Sequence, residues 1–337
     1  MYKRQVVKNL KEFDIKDLQK PTLKDMGAII KIIGCGLCGS DIVKLLHGSH
    51  INKVLGHEVL GTIEEINSTT SFKKGDKVVL AHHIPCFNCD YCRKHNYSMC
   101  EKFKKTNITP GGFAEYIYIT EDHLKNTVFH APQNLNDSTS VFMEPLACCL
   151  RAIKRANTEK NDNVMVIGLG SIGLLMGQAA KCYGAKVSGC DILDERIALA
   201  QKVGFDNVFK SDSDEKTSSE FKSKTKKTGA DIVFLTSGSK SSLSLALKCV
   251  RNGGVILVFA SISDDNLGFA NNQIYYRELT VLGSYSPACS DLEEALTLLK
   301  DGKINVNGFT KEYSLDNINN AISDTLNKKI LKAYIKI

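Results

Sequence analysis

The sequence has no long hydrophobic run. Its most apolar stretch, Val164 to Gly177, is short for a membrane span and is interrupted by glycines. Met1 to Leu18 alternates charged and apolar residues and lacks the 7–15-residue apolar core of a secretory signal. The expectation is a cytoplasmic protein with no membrane partner. Repeats and low-complexity blocks are also lacking, and 6 prolines and 25 glycines punctuate the chain without forming a linker. Nor does one sign of charge dominate. The net charge of +7 comes from Lys-rich surface segments such as Lys216 to Lys227, which carries acidic neighbours and no cluster of arginines and aromatics. It reads as a solvated face rather than a nucleic-acid patch.

What is present bounds the class. A chain of 337 residues is expected to form about two domains and is long enough to bury a sizeable core. The 43% hydrophobic and 24% charged fractions exclude disordered, collagenous and coiled-coil chains. Twelve cysteines in a reducing compartment point to metal or reactive sites rather than disulfides.

The first ~140 residues read as short strands separated by turns. Candidates are Ala28 to Gly34, Val59 to Ile66, Lys77 to Ala81, and a strand after Gly111-Gly112-Phe113. From about 145 the pattern changes to strand–helix alternation. The strands are Val164 to Gly168, Lys186 to Cys190, Asp231 to Leu235, Val255 to Ala260 and Glu278 to Gly283. The helices are Ser171 to Tyr183, Leu193 to Val203 and Ser242 to Val250. This predicts an α/β protein with a doubly wound parallel sheet. A helix (Asp291 to Lys300) and a strand (Leu331 to Ile335) follow, and these are expected to pair back with the first domain.

Cys86, Cys89, Cys92 and Cys100 form C-x2-C-x2-C-x7-C. Four thiolates at this spacing can close a tetrahedral site alone, which suits a structural zinc. The same set is able to hold an iron–sulfur cluster; the compact lobe and the lack of redox partners favour zinc. A second group is dispersed: Cys38 in Gly36-Leu37-Cys38-Gly39-Ser40-Asp41, His57-Glu58 in Gly56-His57-Glu58, and Glu144 in Glu144-Pro145-Leu146. The remaining seven cysteines (Cys35, Cys148, Cys149, Cys182, Cys190, Cys249, Cys289) lack ligand spacing and read as small buried hydrophobes.

Gly168-Leu169-Gly170-Ser171-Ile172-Gly173 places G-x-G-x-x-G between an apolar strand and a helix, the context of a dinucleotide site. Gly168 is expected to make the turn, Gly170 to admit the pyrophosphate, and Gly173 to let helix and strand pack. The helix start at Ser171 and Ile172 then presents unpaired N–H groups to the phosphates. Asp191 ends the next strand, eighteen residues after Gly173. A carboxylate there binds the adenosine ribose and repels a 2′-phosphate, which favours NAD. Arg196 is placed to touch the same ribose edge.

Together these motifs, with Gly111-Gly112-Phe113-Ala114-Glu115-Tyr116 and Arg277-Glu278, resemble the zinc-containing medium-chain alcohol dehydrogenases. Within them the likeness is to the polyol (sorbitol/iditol) and threonine dehydrogenase branch. The resemblance implies a discontinuous GroES-like catalytic domain, 1–144 and 285–337, carrying a zinc lobe at about 82–104. It implies a Rossmann coenzyme domain at 145–284, with the active site in the cleft between the two. It implies Cys38 and His57 as catalytic zinc ligands, completed by glutamate and water; Glu58 and Glu144 match those two positions. Ser40 matches the hydroxyl that bonds the reacting alcohol, and Arg277 and Glu278 match a pair lining the polyol pocket.

The implied activity is NAD-linked oxidation of a secondary alcohol to a ketone, with two zincs per chain, in a homodimer or homotetramer formed through the edge strand of the coenzyme sheet. Threonine, amino-alcohol, sugar-phosphate or inositol-derivative substrates stand as alternatives, and a non-catalytic zinc-stabilised NAD-binding protein as a remote one. One position departs from the pattern. Most relatives carry His five residues after the zinc-binding Cys, where this chain has Val43; water, or one of Lys44, His47 and His50, would then take the proton.

Overall fold

The computed structural model describes residues 2–8, 12–23, 25–47, 51–260 and 271–337. The chain divides into two compact units: Met1–Pro145 with Ala288–Asp301 and Val306–Ile337, and Leu146–Pro287 with Gly302–Asn305. Residue 145 and residues 285–287 thus change sides relative to the expected boundaries, and so do residues 302–305. The last shift has a visible cause: the Gln178 side chain donates to Asn305 O (3.1 Å) and accepts from Asn305 N (2.7 Å), which fastens the segment to the second unit.

In chain order the elements begin with β1 (Tyr2–Val7), β2 (Phe13–Leu18), β3 (Gly27–Gly36), α1 (Gly39–Leu46), β4 (Glu58–Asn67) and β5 (Lys77–Leu80). Next come α2 (Asp90–Arg93), α3 (Glu101–Lys105), β6 (Tyr116–Thr120), α4 (Glu121–Asn126), β7 (Val128–His130), α5 (Asp137–Ser140) and α6 (Met143–Arg155). The alternating part follows: β8 (Asn163–Ile167), α7 (Ser171–Cys182), β9 (Lys186–Asp191), α8 (Asp194–Lys202), β10 (Asn207–Lys210), α9 (Asp214–Thr225), β11 (Ala230–Leu235), α10 (Lys240–Cys249) and β12 (Val250–Val258). The chain ends with α11 (Asn271–Tyr276), β13 (Thr280–Gly283), α12 (Cys289–Lys300), β14 (Thr310–Ser314), α13 (Ile318–Leu326) and β15 (Lys332–Lys336).

The first unit is built on a sheet ordered β14-β15-β3-β4-β5-β7, with β6 also paired to β3 and a separate β1-β2 hairpin. β15 runs antiparallel to β3, so the end of the chain completes the sheet that its beginning starts. One face closes over a core that includes Ile30, Ile32, Val59, Ile63, Phe113 and Ile117. The second unit is a six-stranded sheet ordered β10-β9-β8-β11-β12-β13, parallel throughout. Every residue of β8 is buried, as a strand covered on both faces requires. Strand order reverses between β9 and β11 around β8, and that switch point is where open α/β sheets bind nucleotides.

Candidate metal centres and dinucleotide site

The sulfurs of Cys86, Cys89, Cys92 and Cys100 all lie within 4.8 Å of one another. Cys89 precedes α2, Cys92 lies inside it, and Cys100 precedes α3. Cys92 Sγ is 3.9 Å from Cys86 Sγ and 3.5 Å from Cys89 Sγ. A tetrahedron with metal–sulfur bonds of ~2.3 Å has edges of about 3.8 Å, so the set fits a zinc ion. The thiols differ in how readily they lose a proton. Backbone N–H of Asn88 draws Cys86 down to about 6, while burial, and then hydrogen bonds among the sulfurs, push Cys92 up to about 12.

The second cluster forms where β15, β3, β4 and β5 end side by side. Cys38, His57 and Glu58 bring one donor atom each to within 4.8 Å of the others. Cys38 begins α1, and His57 and Glu58 sit at the start of β4. Asp41, buried in the first turn of α1, organises them. Its carboxylate accepts from Cys38 N (3.1 Å) and Gly56 N (3.3 Å), and Oδ1 faces His57 Nδ1 at 3.3 Å. Nδ1 is thereby committed, and the other ring nitrogen is left for a metal. Burial alone would raise Asp41 and lower His57; their mutual attraction outweighs it, holding Asp41 low and His57 well above its usual value.

Glu58 is 1% exposed and faces the ammonium of Lys332, itself buried at 5%. Gly36 pairs with Glu58 across β3 and β4, and a Cβ on Gly36 would lie 1.9 Å from Glu58 Oε2. Burial would lower the Lys332 ammonium, but Glu58 and then Cys38 hold it raised. Neither Asp41 as an orienting group nor Lys332 stood out as a site residue in the sequence. Asp41 sat inside the quoted motif; Lys332 lies 274 residues from its partner, and only the β15–β3–β4 register brings them together.

Glu144 lies in the first turn of α6, 5% exposed, outside this convergent group, and acts electrostatically on Lys332. Ser40 is exposed in the first turn of α1, and Val43, Lys44 and His47 follow along that helix and its cap; His50 lies outside the described residues. Of the other seven cysteines, Cys35, Cys149, Cys190 and Cys249 are buried, whereas Cys182, at the end of α7, is exposed and does not fit the buried expectation.

In the second unit Gly168 ends β8 with φ +95, a conformation that favours glycine. A Cβ on Gly173 would meet Gly168 O at 1.9 Å, whereas the space at Gly170 is open, the nearest atom being Arg196 Nη1 at 4.0 Å. No side chain caps α7 at Gly170, so the N–H groups of Ser171 and Ile172 start the helix facing that space. Asp191 is fixed beside the turn: Oδ2 accepts from Leu169 N (2.7 Å), Oδ1 from Leu193 N (3.0 Å), and Arg196 Nη1 lies 3.5 Å away. Oδ1, with a single donor, retains a lone pair for a ribose hydroxyl. These residues fit a dinucleotide.

The expected pocket pair, Arg277 and Glu278, lies between α11 and β13. The Arg277 guanidinium donates to the carbonyls of Leu247 (2.7 Å) and Val250 (2.5 Å) and to Asn252 Oδ1 (2.9 Å), closing the end of α10. Val250 pairs with Ala230 at the start of β11, whereas Ile167, next to the glycine turn, pairs with Leu235 at its end. Arg277 therefore serves the sheet edge opposite the glycine turn. Glu278, exposed at φ +49, turns the chain into β13.

A parallel dinucleotide sheet in one unit, with a four-thiolate lobe and a Cys/His/Glu cluster in the other, defines a zinc-type dehydrogenase. Residues 24–132 match the alcohol dehydrogenase GroES-like domain and residues 171–301 the zinc-binding dehydrogenase domain. The chain is 30% identical over 315 residues to D-xylulose reductase A of Aspergillus oryzae, covering 89% of this chain and 87% of the relative. It is 31% identical over 313 residues to a sorbitol dehydrogenase of Halalkalibacterium halodurans, covering 90% and 89%. Galactitol-1-phosphate dehydrogenase from Escherichia coli superposes with a TM-score of 0.88 at 27% identity over 99% of this chain and 100% of that one. The chain belongs to the zinc-containing medium-chain alcohol dehydrogenase family, among its polyol dehydrogenases.

Proposed function

We propose that the protein oxidises a secondary alcohol of a polyol, sugar alcohol or derivative to a ketone with NAD, and catalyses the reverse reduction. The observation that carries this reading is the convergence of Cys38, His57 and Glu58 on one point, in a chain that also holds the four-thiolate lobe. When bound, zinc supplies a Lewis acid for the substrate oxygen and the nicotinamide supplies the hydride acceptor, since zinc has no redox chemistry of its own. The Asp41 carboxylate fixes the His57 ring so that the cluster is set before the ligand arrives. The Lys332 ammonium offsets the charge of Glu58 and lets that carboxylate be held or released beside the cluster, with Glu144 as the second glutamate. Ser40 takes part in removing the alcohol proton. It is exposed, so the proton passes to water, a route that needs no base at Val43.

Asp191, held by Leu169 and Leu193, favours NAD over a 2′-phosphorylated cofactor. A sugar-phosphate substrate is the second reading, favoured by the likeness to galactitol-1-phosphate dehydrogenase. We further propose two zincs per chain, a cytoplasmic location and a homo-oligomer; no helix among the described residues is long and apolar enough to cross a membrane.

NAD reduction screened over polyols, sugar phosphates and amino alcohols separates the substrates. In the same assay Cys38→Ser should lose turnover to background while NAD binding, followed by fluorescence, persists. Turnover that survives this change would remove Cys38 from the active site.

A further inference from the structure

A column of rings crosses the first unit from the Cys38/His57/Glu58 cluster to the four-cysteine lobe. The centroids of His57 and His82 are 4.6 Å apart, those of His82 and His83 3.7 Å, and those of His83 and Phe103 4.9 Å. Phe103 is buried against Cys92 and Cys100. The strand register builds the inner end: Val59 pairs with Leu80, so extending β4 and β5 by two residues sets His57 opposite His82.

The column is also anchored. His83 Nδ1 meets Thr106 O at 2.5 Å, directly after α3, and Thr106 Oγ1 accepts from Ile84 N at 2.9 Å. The His82 carbonyl accepts from His123 Nε2 at 3.1 Å, and His123 Nδ1 faces Thr120 Oγ1 at 2.8 Å. Neither His82 nor His83 belongs to either donor cluster.

We propose that His82 and His83 are positioning residues that couple the four-cysteine lobe to His57, so that metal in one site stabilises metal in the other. The proposal rests on the reading of both clusters as metal sites. A filled lobe fixes Cys92 and Cys100, and with them Phe103 and Thr106. These hold the His83 ring, His83 holds His82, and His82 sets the tilt of His57. An empty lobe leaves Cys92 and Cys100 without a shared centre and frees Phe103, which packs on them, to shift. Groups that orient a metal-binding histidine typically change metal affinity by ~10–100-fold when altered, and coupling between two binding events is reciprocal.

The test is a cycle on the full chain, reading metal content by elemental analysis and metal release to a chromogenic chelator. Cys89→Ser empties the lobe and should speed release of the remaining metal about tenfold. In a His82→Leu background the same Cys89→Ser change should alter release less than about twofold, because the column is already cut. His82→Phe, which keeps a ring in the stack, should restore the coupling. Equal effects of Cys89→Ser in both backgrounds, or none in either, overturn the proposal. Should Cys89→Ser not fold, reciprocity decides with intact cysteines: metal at Cys38/His57/Glu58 slows release from the lobe in the parent chain and not in His82→Leu, and equal slowing in both overturns the coupling. A parent chain holding fewer than two metals overturns the underlying reading of the sites, an outcome distinct from two metals without coupling.

Discussion

Asp41 shows why the inner cluster depends on a residue outside its converging donors. One carboxylate satisfies the N–H groups of Cys38 and Gly56 and faces His57 Nδ1, so two of the three converging donor residues are referred to one rigid group in α1. Asp41→Asn keeps the volume but removes the charge that holds His57, and it turns either its amide toward Cys38 N–H, donor against donor, or toward His57. Metal affinity at this cluster should fall by ~10–100-fold, read by competition with a chelator of known affinity, while the four-cysteine lobe stays loaded. Unchanged affinity would show that His57 is oriented by something else. The motif containing Cys38 and Asp41 was legible in the sequence because it is contiguous. Lys332 was not, since a lysine near the chain end reads as solvated until the register of β15 against β3 brings it to Glu58. Arg277 is the opposite case: an Arg–Glu pair before a strand looks like a pocket, and only geometry reveals that its guanidinium donates to two backbone carbonyls and one side-chain amide oxygen.

At the scale of elements, the second unit's sheet is clipped at its starting edge by Asp231. Its Oδ2 accepts from Asn163 N (2.7 Å) and Nδ2 (3.2 Å), and Oδ1 accepts from Arg251 Nε (2.6 Å), which ties the starts of β8, β11 and β12 together. Burial would raise this carboxyl, but Arg251 and Asn163 outweigh it and hold it low. A depressed acid contributes stability that is fully present above its unfolded value near 3.8 and is lost as pH falls through the lower folded value. Hydrogen exchange of β8 and β11 amides in the intact chain should therefore rise in Asp231→Asn at neutral pH. The opening free energy should drop by about 2 kcal/mol, and the gap to the parent should close as pH falls well below 3.8. A gap that is constant with pH would assign the effect to shape rather than charge. Most of these elements were legible because β8, β9 and β11 are apolar runs bounded by turn residues. The expected strand at Val255 begins earlier, at Val250, because β12 carries the Arg251-Asn252-Gly253-Gly254 turn signature as a bulge, its register jumping between Ala230 and Ile232. Helix α9 was read only as a charged surface, since its buried Thr217, Ser218 and Phe221 leave little apolar periodicity to detect.

For the whole molecule, the discontinuous first unit was readable from the order of motifs, but the return of residues 302–305 to the second unit, where Asn305 bonds Gln178, is announced by no local pattern. The edges of the second sheet carry a further consequence. β10 ends in Lys210, engaged with Asp194, a charged margin of the kind that discourages further pairing. β13 at the other edge pairs with β12 alone among the described residues, leaves Thr280 and Gly283 exposed, and lies in sequence between the exposed rings of Tyr275, Tyr276 and Tyr285. An unpaired, uncharged edge strand next to aromatic surface is what two copies of a chain join through, strand to strand, with rings adding buried area. Sedimentation velocity at micromolar concentration should thus give at least twice the chain mass. Val281→Pro removes an N–H from β13 and makes the strand a poor partner. It should shift the distribution to single chains while the metal content and the Cys38/His57/Glu58 site stay intact. A parent chain that sediments as a monomer ends the oligomer proposal. A dimer that withstands Val281→Pro places the joining surface elsewhere than β13.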